Sequence, residues 1–339
     1  MGRISLMKSS SQRRTAALLE VLGVFICGPV LMLGLRRLFG ISLTNPLERL
    51  TAQATNADLL TASRQLLALL LVSNAGYFVI AVPLNWWYRR RKAADYGLTR
   101  AGHTWTFLLA AGIGAAAFWE WPILMLNLVN ALHPSATVAW REALFGMSWH
   151  RWQFWLFTGV LSWAGAPLFE ELLYRGYCQR RLAEDWGDGP AIFGAACLFT
   201  FSHSQYLKLD PYNMGMTVGL LLSAIGFGLV FAWTRTLVPS MIAHGLFDVP
   251  MTLRWQTIFL GVMLIVAAIV ARRAGSATRK VFSGAGAAAC PALGVIGGVY
   301  AFLANVDSIV VYLIVAAVAM LLLAIVFEAK DRARTSVAC

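Results

Sequence analysis

Charge is what this sequence has least of: only 13% of its 339 residues are Asp, Glu, Lys or Arg, against 59% hydrophobic residues. Soluble domains carry roughly a quarter charged residues, so the composition excludes a soluble enzyme and a soluble nucleic-acid module. Acidic residues are the scarcer sign, 16 against 28 Lys and Arg, which leaves a formal charge of +12. An excess of cations suits nucleic acid when it forms one face; here the cations lie in loops between apolar runs, and no nucleic-acid partner is expected. The five cysteines, Cys27, Cys178, Cys197, Cys290 and Cys339, show no C-x-x-C pairing and lie mostly in or beside apolar runs. They read as small packing residues, not as a disulfide or metal framework. No H-E-x-x-H, G-x-S-x-G or P-loop occurs, which removes the standard zincin, serine hydrolase and NTPase readings. No small-x-small cleavage signal precedes Arg36 and Arg37, and the final Ser336-Val337-Ala338-Cys339 is not a C-a-a-X box. The first apolar run is therefore expected to be a membrane helix, with no lipid anchor on the chain itself.

Long apolar runs dominate what is present. A hydrocarbon core takes about 20 apolar residues to cross, and the runs predict an all-α, polytopic transmembrane helical bundle of about 8–10 spans. They fall near 16–35, 66–88, 105–131, 152–178, 190–206, 215–233, 237–250, 255–271, 288–304 and 308–327. The seventh is too short for a straight crossing and is expected as a half-helix lining a cavity. Most Lys and Arg precede the first run or fall in 89–104, 175–189, 272–285 and the tail. By the positive-inside rule both termini face the cytoplasm, as expected of a multi-pass protein in a plasma (inner) membrane. Residues 1–149 read as amino-terminal membrane helices and loops, 150–255 as the core that carries the chemistry, and 256–339 as carboxy-terminal membrane helices with a short cytoplasmic tail.

Ionisable residues inside a span cost a few kcal/mol each and need partners or a wet cavity. Here they concentrate in three segments: Glu170, Glu171 and Arg175, then His203, then His244 and Asp248. Helical spacing sets Glu171 and Arg175 one turn apart, where they can pair, and turns Glu170 about 100° away. Phe199 lies one turn before His203, placed to wall its imidazole from lipid, and His244 and Asp248 share a face. Counted from the basic interface at 1.5 Å per residue, Glu170, His203 and His244 lie about 15, 18 and 10 Å deep, close enough to share one site. Each group also has a plainer reading: a structural ion pair for Glu171 and Arg175, core hydrogen bonding for a lone histidine, a helix-end cap for Asp248. Their joint occurrence is what points to a site. Glu120, alone in an apolar span, is read as protonated or paired near an interface, and Glu20 is the other isolated acid.

Carboxylates beside histidines suit hydrolysis, with a Glu taking a proton from water while imidazoles orient that water or meet an oxyanion. This works without a cofactor. A zinc ion held by His203, His244 and a carboxylate, with Glu170 as base, is a second coherent version.

The three segments resemble the motifs of the CAAX-protease and bacteriocin-processing (CPBP) intramembrane endopeptidases, also called the abortive-infection family. Those motifs are E-E-x-x-x-R, F-x-x-x-H and H-x-x-x-N or a similar polar residue, matched in order by Glu170-Glu171 with Arg175, Phe199 with His203, and His244 with Asp248. The resemblance covers roughly residues 150–255 and implies a helical core with a cavity open toward cytoplasm and lipid. It implies that Glu170 activates water, His203 assists, His244 with residue 248 meets the oxyanion, and Glu171 and Arg175 hold the geometry. Many members carry Asn where this chain has Asp248, and an ionised Asp only accepts hydrogen bonds. The expected function is endopeptidase cleavage of a membrane-associated protein or peptide at the lipid bilayer, as in tail processing, peptide maturation or sorting. The alternatives are a non-catalytic membrane scaffold or immunity protein, and a proton-coupled transporter, which predicts internal repeats that the sequence does not show.

Overall fold

The computed structural model describes residues 10–40, 50, 54–84, 92–132, 148–203, 206, 211–249, 251–252, 255–267 and 269–270. Among these residues the chain is helical with no strand: α1 (Ser10–Phe39), α2 (Asn56–Pro83), α3 (Trp105–Leu132), α4 (Trp152–Gly159), α5 (Ala166–Glu171), α6 (Arg180–Trp186), α7 (Asp188–Ser202), α8 (Pro211–Thr234), α9 (Val238–Phe247) and α10 (Trp255–Ala267). The expected spans at 288–304 and 308–327, and the tail, lie outside the described residues. By length and apolar composition α1, α2 and Tyr212–Thr234 of α8 can each cross a membrane.

Three boundaries differ from the sequence reading, each for a local reason. Helix α2 starts at Asn56, not near residue 66, because Thr55 and Asp58 form a capping box: Asp58 N–H donates to Thr55 Oγ1 (3.2 Å), and Thr55 N–H donates to Asp58 Oδ2 (2.8 Å). These bonds satisfy donors that a helix start otherwise leaves orphaned. The fourth span runs on as one helical stretch from Trp152 to Trp186, interrupted by π-helical turns at Val160–Gly165 and Leu172–Gln179. Pro167 stands at the start of α5, and its missing N–H removes a regular backbone bond there. Gly187, at φ 83°, ends the stretch in a conformation that costs other residues more. The fifth span ends at Ser202, so His203 is a helix cap instead of a mid-helix residue.

Helix α8 stands at the centre of the bundle and touches α3, α7 and α9. Of its most apolar window 67% is buried, against 22% for α2; α2 therefore faces lipid with residues such as Leu71, Val79 and Val82. The main core joins Leu22 and Phe25 of α1, Tyr177, Cys197 and Phe199 with Leu220 and Ala224 of α8. Cys178 and Cys197 are buried free thiols, in keeping with a packing role, whereas Cys27 is exposed. Helices α1 and α2 meet at Gly28 and Gly76: a Cβ on Gly76 would lie 2.5 Å from the carbonyl oxygen of Gly28 and 2.8 Å from the nitrogen of Met32. Glu20, the isolated acid of α1, receives Arg181 (2.9 Å) and the Tyr177 hydroxyl (3.3 Å), while Arg181 also pairs with Asp185 at 2.7 Å. This cluster ties α1 to α6.

At the carboxy-terminal end of α8, Arg235 makes two hydrogen bonds to Asp188 (2.9 and 3.3 Å). Leu237 N–H and the Thr236 hydroxyl both donate to the carbonyl of Gly97, at 2.9 and 3.2 Å. The start of α9 is thereby pinned to the loop before α3. Helix α9 spans only Val238–Phe247, matching the half-helix expectation, and delivers His244 to the interior.

Candidate active site

Three short elements deliver the polar residues. Helix α5 and the π turn after it carry Glu170, Glu171 and Arg175; the end of α7 carries Phe199 and His203; α9 and its cap carry His244 and Asp248. All seven residues singled out in the sequence come together in one cluster. It has a dry interior and a wetter rim. Glu171, Arg175 and His244 are 0%, 1% and 1% exposed, whereas Glu170, His203 and Asp248 are 21%, 18% and 15% exposed.

The interior is organised around one oxygen. Glu171 Oε1 accepts from Arg175 Nη1 at 2.8 Å and from His244 Nδ1 at 2.8 Å. A carboxylate held by a guanidinium only accepts, so Nδ1 of His244 carries a proton and Nε2 points the other way. Arg175 also donates from Nη2 to the carbonyl of Ala224 (3.1 Å), and one turn on, Gln179 Nε2 donates to the carbonyl of Gly228 (2.9 Å). The expected Glu171–Arg175 pair is therefore present and extends into α8.

On the rim, Glu170 Oε2 lies 3.9 Å from Nε2 of His203 and 3.9 Å from Nε2 of His244. This oxygen is buried and has no hydrogen-bond partner among the described residues. Asp248 Oδ2 lies 3.8 Å from His244 Nε2, and Asp248 also caps α9, its N–H donating to the carbonyl of His244 at 3.1 Å. The two sequence readings of Asp248, cap and site residue, thus coexist. Separations of 3.8–3.9 Å are too long for direct hydrogen bonds and match groups that share a bridging water.

His203 owes its orientation to the end of α7. Its Nδ1 donates to the carbonyl of Phe199 (2.8 Å), and the Ser202 hydroxyl donates to the same carbonyl at 2.7 Å. A helix end leaves such carbonyls without partners; satisfying this one turns Nε2 toward Glu170. The Phe199 ring, centred 4.7 Å from the imidazole, walls it as its spacing predicted.

Residues 151–250 match the family described as Rce1-like, the type II CAAX prenyl endopeptidases. The matched segment contains every residue of the cluster. Over this segment, less than a third of its length, the chain is similar to the CAAX-type intramembrane proteases. No curated protein and no solved structure matches the chain.

Within the matched segment, the sequence reading missed what α8 supplies. Phe227 is fully buried and stacks on His244 with ring centroids 5.7 Å apart and planes 26° apart. Phe247 also stacks on His244, at 5.3 Å and 16°. Its i+3 spacing from His244 was a readable signal, whereas nothing in the spacing pointed to Phe227. Glu120 is buried in α3.

The zinc version meets a geometric test. Tetrahedral zinc, about 2.0–2.1 Å from each donor, sets its ligand atoms about 3.3 Å apart. Of the ligand pairs in that version, His244 Nε2 and Asp248 Oδ2 lie 3.8 Å apart, and among the described residues no group of three or more His, Cys, Asp and Glu side chains is arranged to hold a metal ion. The cluster as arranged does not fit zinc, and no step below is routed through one.

Proposed function

We propose that this chain is an intramembrane endopeptidase that hydrolyses a peptide bond of a membrane-associated protein or peptide with a water activated by Glu170. The observation that carries the reading is the placement of Glu170 Oε2 at 3.9 Å from the Nε2 atoms of two imidazoles whose Nδ1 atoms are both committed elsewhere. A water bridging these three groups donates one proton to Glu170 and the other to His203 Nε2, which aims its lone pair at a carbonyl carbon. On attack the water oxygen bonds to that carbon, Glu170 takes the proton, and the carbonyl π electrons move onto oxygen. His244, protonated on both nitrogens, meets that oxyanion through Nε2–H, with Glu171 and Asp248 on either side of the ring balancing its charge. As the tetrahedral intermediate collapses, the C–N bond breaks and Glu170 returns its proton to the leaving amine. Asp248 has an accepting role here, which an ionised Asp can fill.

Glu170→Gln keeps the side-chain volume and removes the base. Membrane peptides from cells carrying the wild-type chain or this variant, expressed equally, are compared by mass spectrometry. Uncleaved precursors are expected to accumulate only with the variant, with turnover down roughly 10²- to 10⁴-fold. Identical peptide profiles across growth conditions sink the protease reading in favour of a scaffold or a transporter.

A further inference from the structure

We propose that Phe227, on a helix that carries none of the motif residues, is a positioning residue that holds both donors of the Glu171 pair in register. The inference rests on the protease reading for its kinetic arm and on geometry alone for its spectroscopic arm.

Glu171 Oε1 is shared by Arg175 and His244, so a shift of either donor disturbs the other. Phe227 touches both. The Arg175 guanidinium carbon lies 5.3 Å from the Phe227 ring centroid and 4.7 Å from that of Phe199, so the cation is held between two π faces. Contacts of this kind within about 6 Å attract the cation to the ring face. The His244 ring stacks on both Phe227 and Phe247 and is met edge-on by Phe199 at 5.6 Å and 80°. A flat imidazole stacked on two nearly parallel rings cannot turn about its Cβ–Cγ bond without displacing one of them. Such a turn swaps Nδ1 with Cδ2 and Nε2 with Cε1, carrying the Nδ1 proton away from Glu171 and Nε2 away from Glu170.

Helix α8 is built to keep this ring in place. The Arg175 donation to Ala224 and the Gln179 donation to Gly228 bracket Phe227 along the helix, one on each side of it in sequence. The helix bearing Phe227 is thus stapled by two buried hydrogen bonds to the stretch bearing Glu171. Aiming of His244 Nε2 at Glu170 depends on a residue that touches neither the water nor the scissile bond.

The test uses Phe227→Leu in the full chain, with Val230→Ala as a control that removes buried volume from the same helix and the same core cluster. In chain labelled with ¹⁵N-histidine and embedded in lipid nanodiscs, the His244 signal is assigned by its loss in His244→Gln. The wild type and Val230→Ala are expected to show a slowly exchanging Nδ1–H, and Phe227→Leu an Nδ1–H that exchanges at least about tenfold faster as the ring regains its freedom. On a precursor peptide found by the Glu170→Gln comparison, Phe227→Leu is expected to lower kcat roughly 10- to 100-fold with KM within about twofold. If Phe227→Leu does not accumulate in the membrane, Phe227→Met, which keeps volume but lacks a flat face, takes its place. An unchanged Nδ1–H signal in the Phe variant, or equal changes in it and Val230→Ala, overturns the proposal. Should no peptide be cleaved by the wild type, the protease reading falls and the nanodisc spectra still decide the positioning role.

Discussion

Glu171 is the residue on which the interior of the site depends, because one of its oxygens balances a buried guanidinium and orients a buried imidazole. Removing one partner of a buried pair leaves an uncompensated charge and costs about 3–5 kcal/mol. Glu171→Ala is therefore expected to lower the thermal unfolding midpoint of the detergent-purified protein sharply, or to abolish its accumulation. Glu171→Gln retains an acceptor and loses only the charge, so its midpoint is expected to lie between those of the wild type and the alanine variant. Equal midpoints for wild type and Glu171→Ala count against the shared-oxygen geometry. Glu170, a chain neighbour of Glu171, behaves differently because it stands on the rim: its replacement by Gln is expected to stop turnover while leaving the unfolding midpoint nearly unchanged.

Individual elements owe their positions to a few close approaches and staples. In a bilayer, helices gain little from hydrophobic burial against one another and associate through tight packing of small residues and polar contacts. The α1–α2 crossing at Gly28 and Gly76 is such a contact, since a Cβ on Gly76 meets backbone atoms that cannot move cheaply. Gly76→Ala is expected to destabilise the protein by about 1–3 kcal/mol. Gly34→Ala, on the same helix pair but with nothing within 4 Å of the added Cβ, is expected to change stability by about 1 kcal/mol or less. Unfolding of the two purified variants side by side checks the pair, and an equal response from both removes the crossing as the cause. The π turns before and after α5 belong to this scale as well. Each widens the backbone spiral where it passes the site, a deviation often found at functional positions, and hydrophobic periodicity carries no sign of it.

The whole molecule has one basic end and one site-bearing end. Arg180 and Arg181 open α6 and Arg235 follows α8, paired to Asp188 at the start of α7, whereas His203 and Asp248 sit at the far ends of α7 and α9. By the positive-inside rule the basic end is expected to face the cytoplasm. Thr99 precedes α3 at that end, and His150 precedes α4 at the opposite one; both are exposed. In a chain whose native cysteines are replaced, His150→Cys is expected to react with a membrane-impermeant maleimide in intact spheroplasts, and Thr99→Cys only after lysis. The reverse pattern inverts the topology and with it the side from which substrate approaches.

Membrane residence, helical class and the seven residues of the candidate site were legible in the sequence, because each rests on local chemistry. Apolar runs of sufficient length have few other uses, and a spacing of four residues sets Glu171 by Arg175, Phe199 by His203, and His244 by Asp248 wherever the chain is helical. Depth counting even brought the three segments to a similar level. What it left open was neighbourhood, and tertiary packing decided it: that His244 hydrogen-bonds Glu171 across 73 positions of chain, that α8 threads Phe227 between Arg175 and His244, and that the isolated Glu20 binds Arg181. These are contacts between residues far apart in sequence. Helix periodicity says which face a residue occupies and nothing about which helix lies opposite, so such partners emerge only once the bundle has packed.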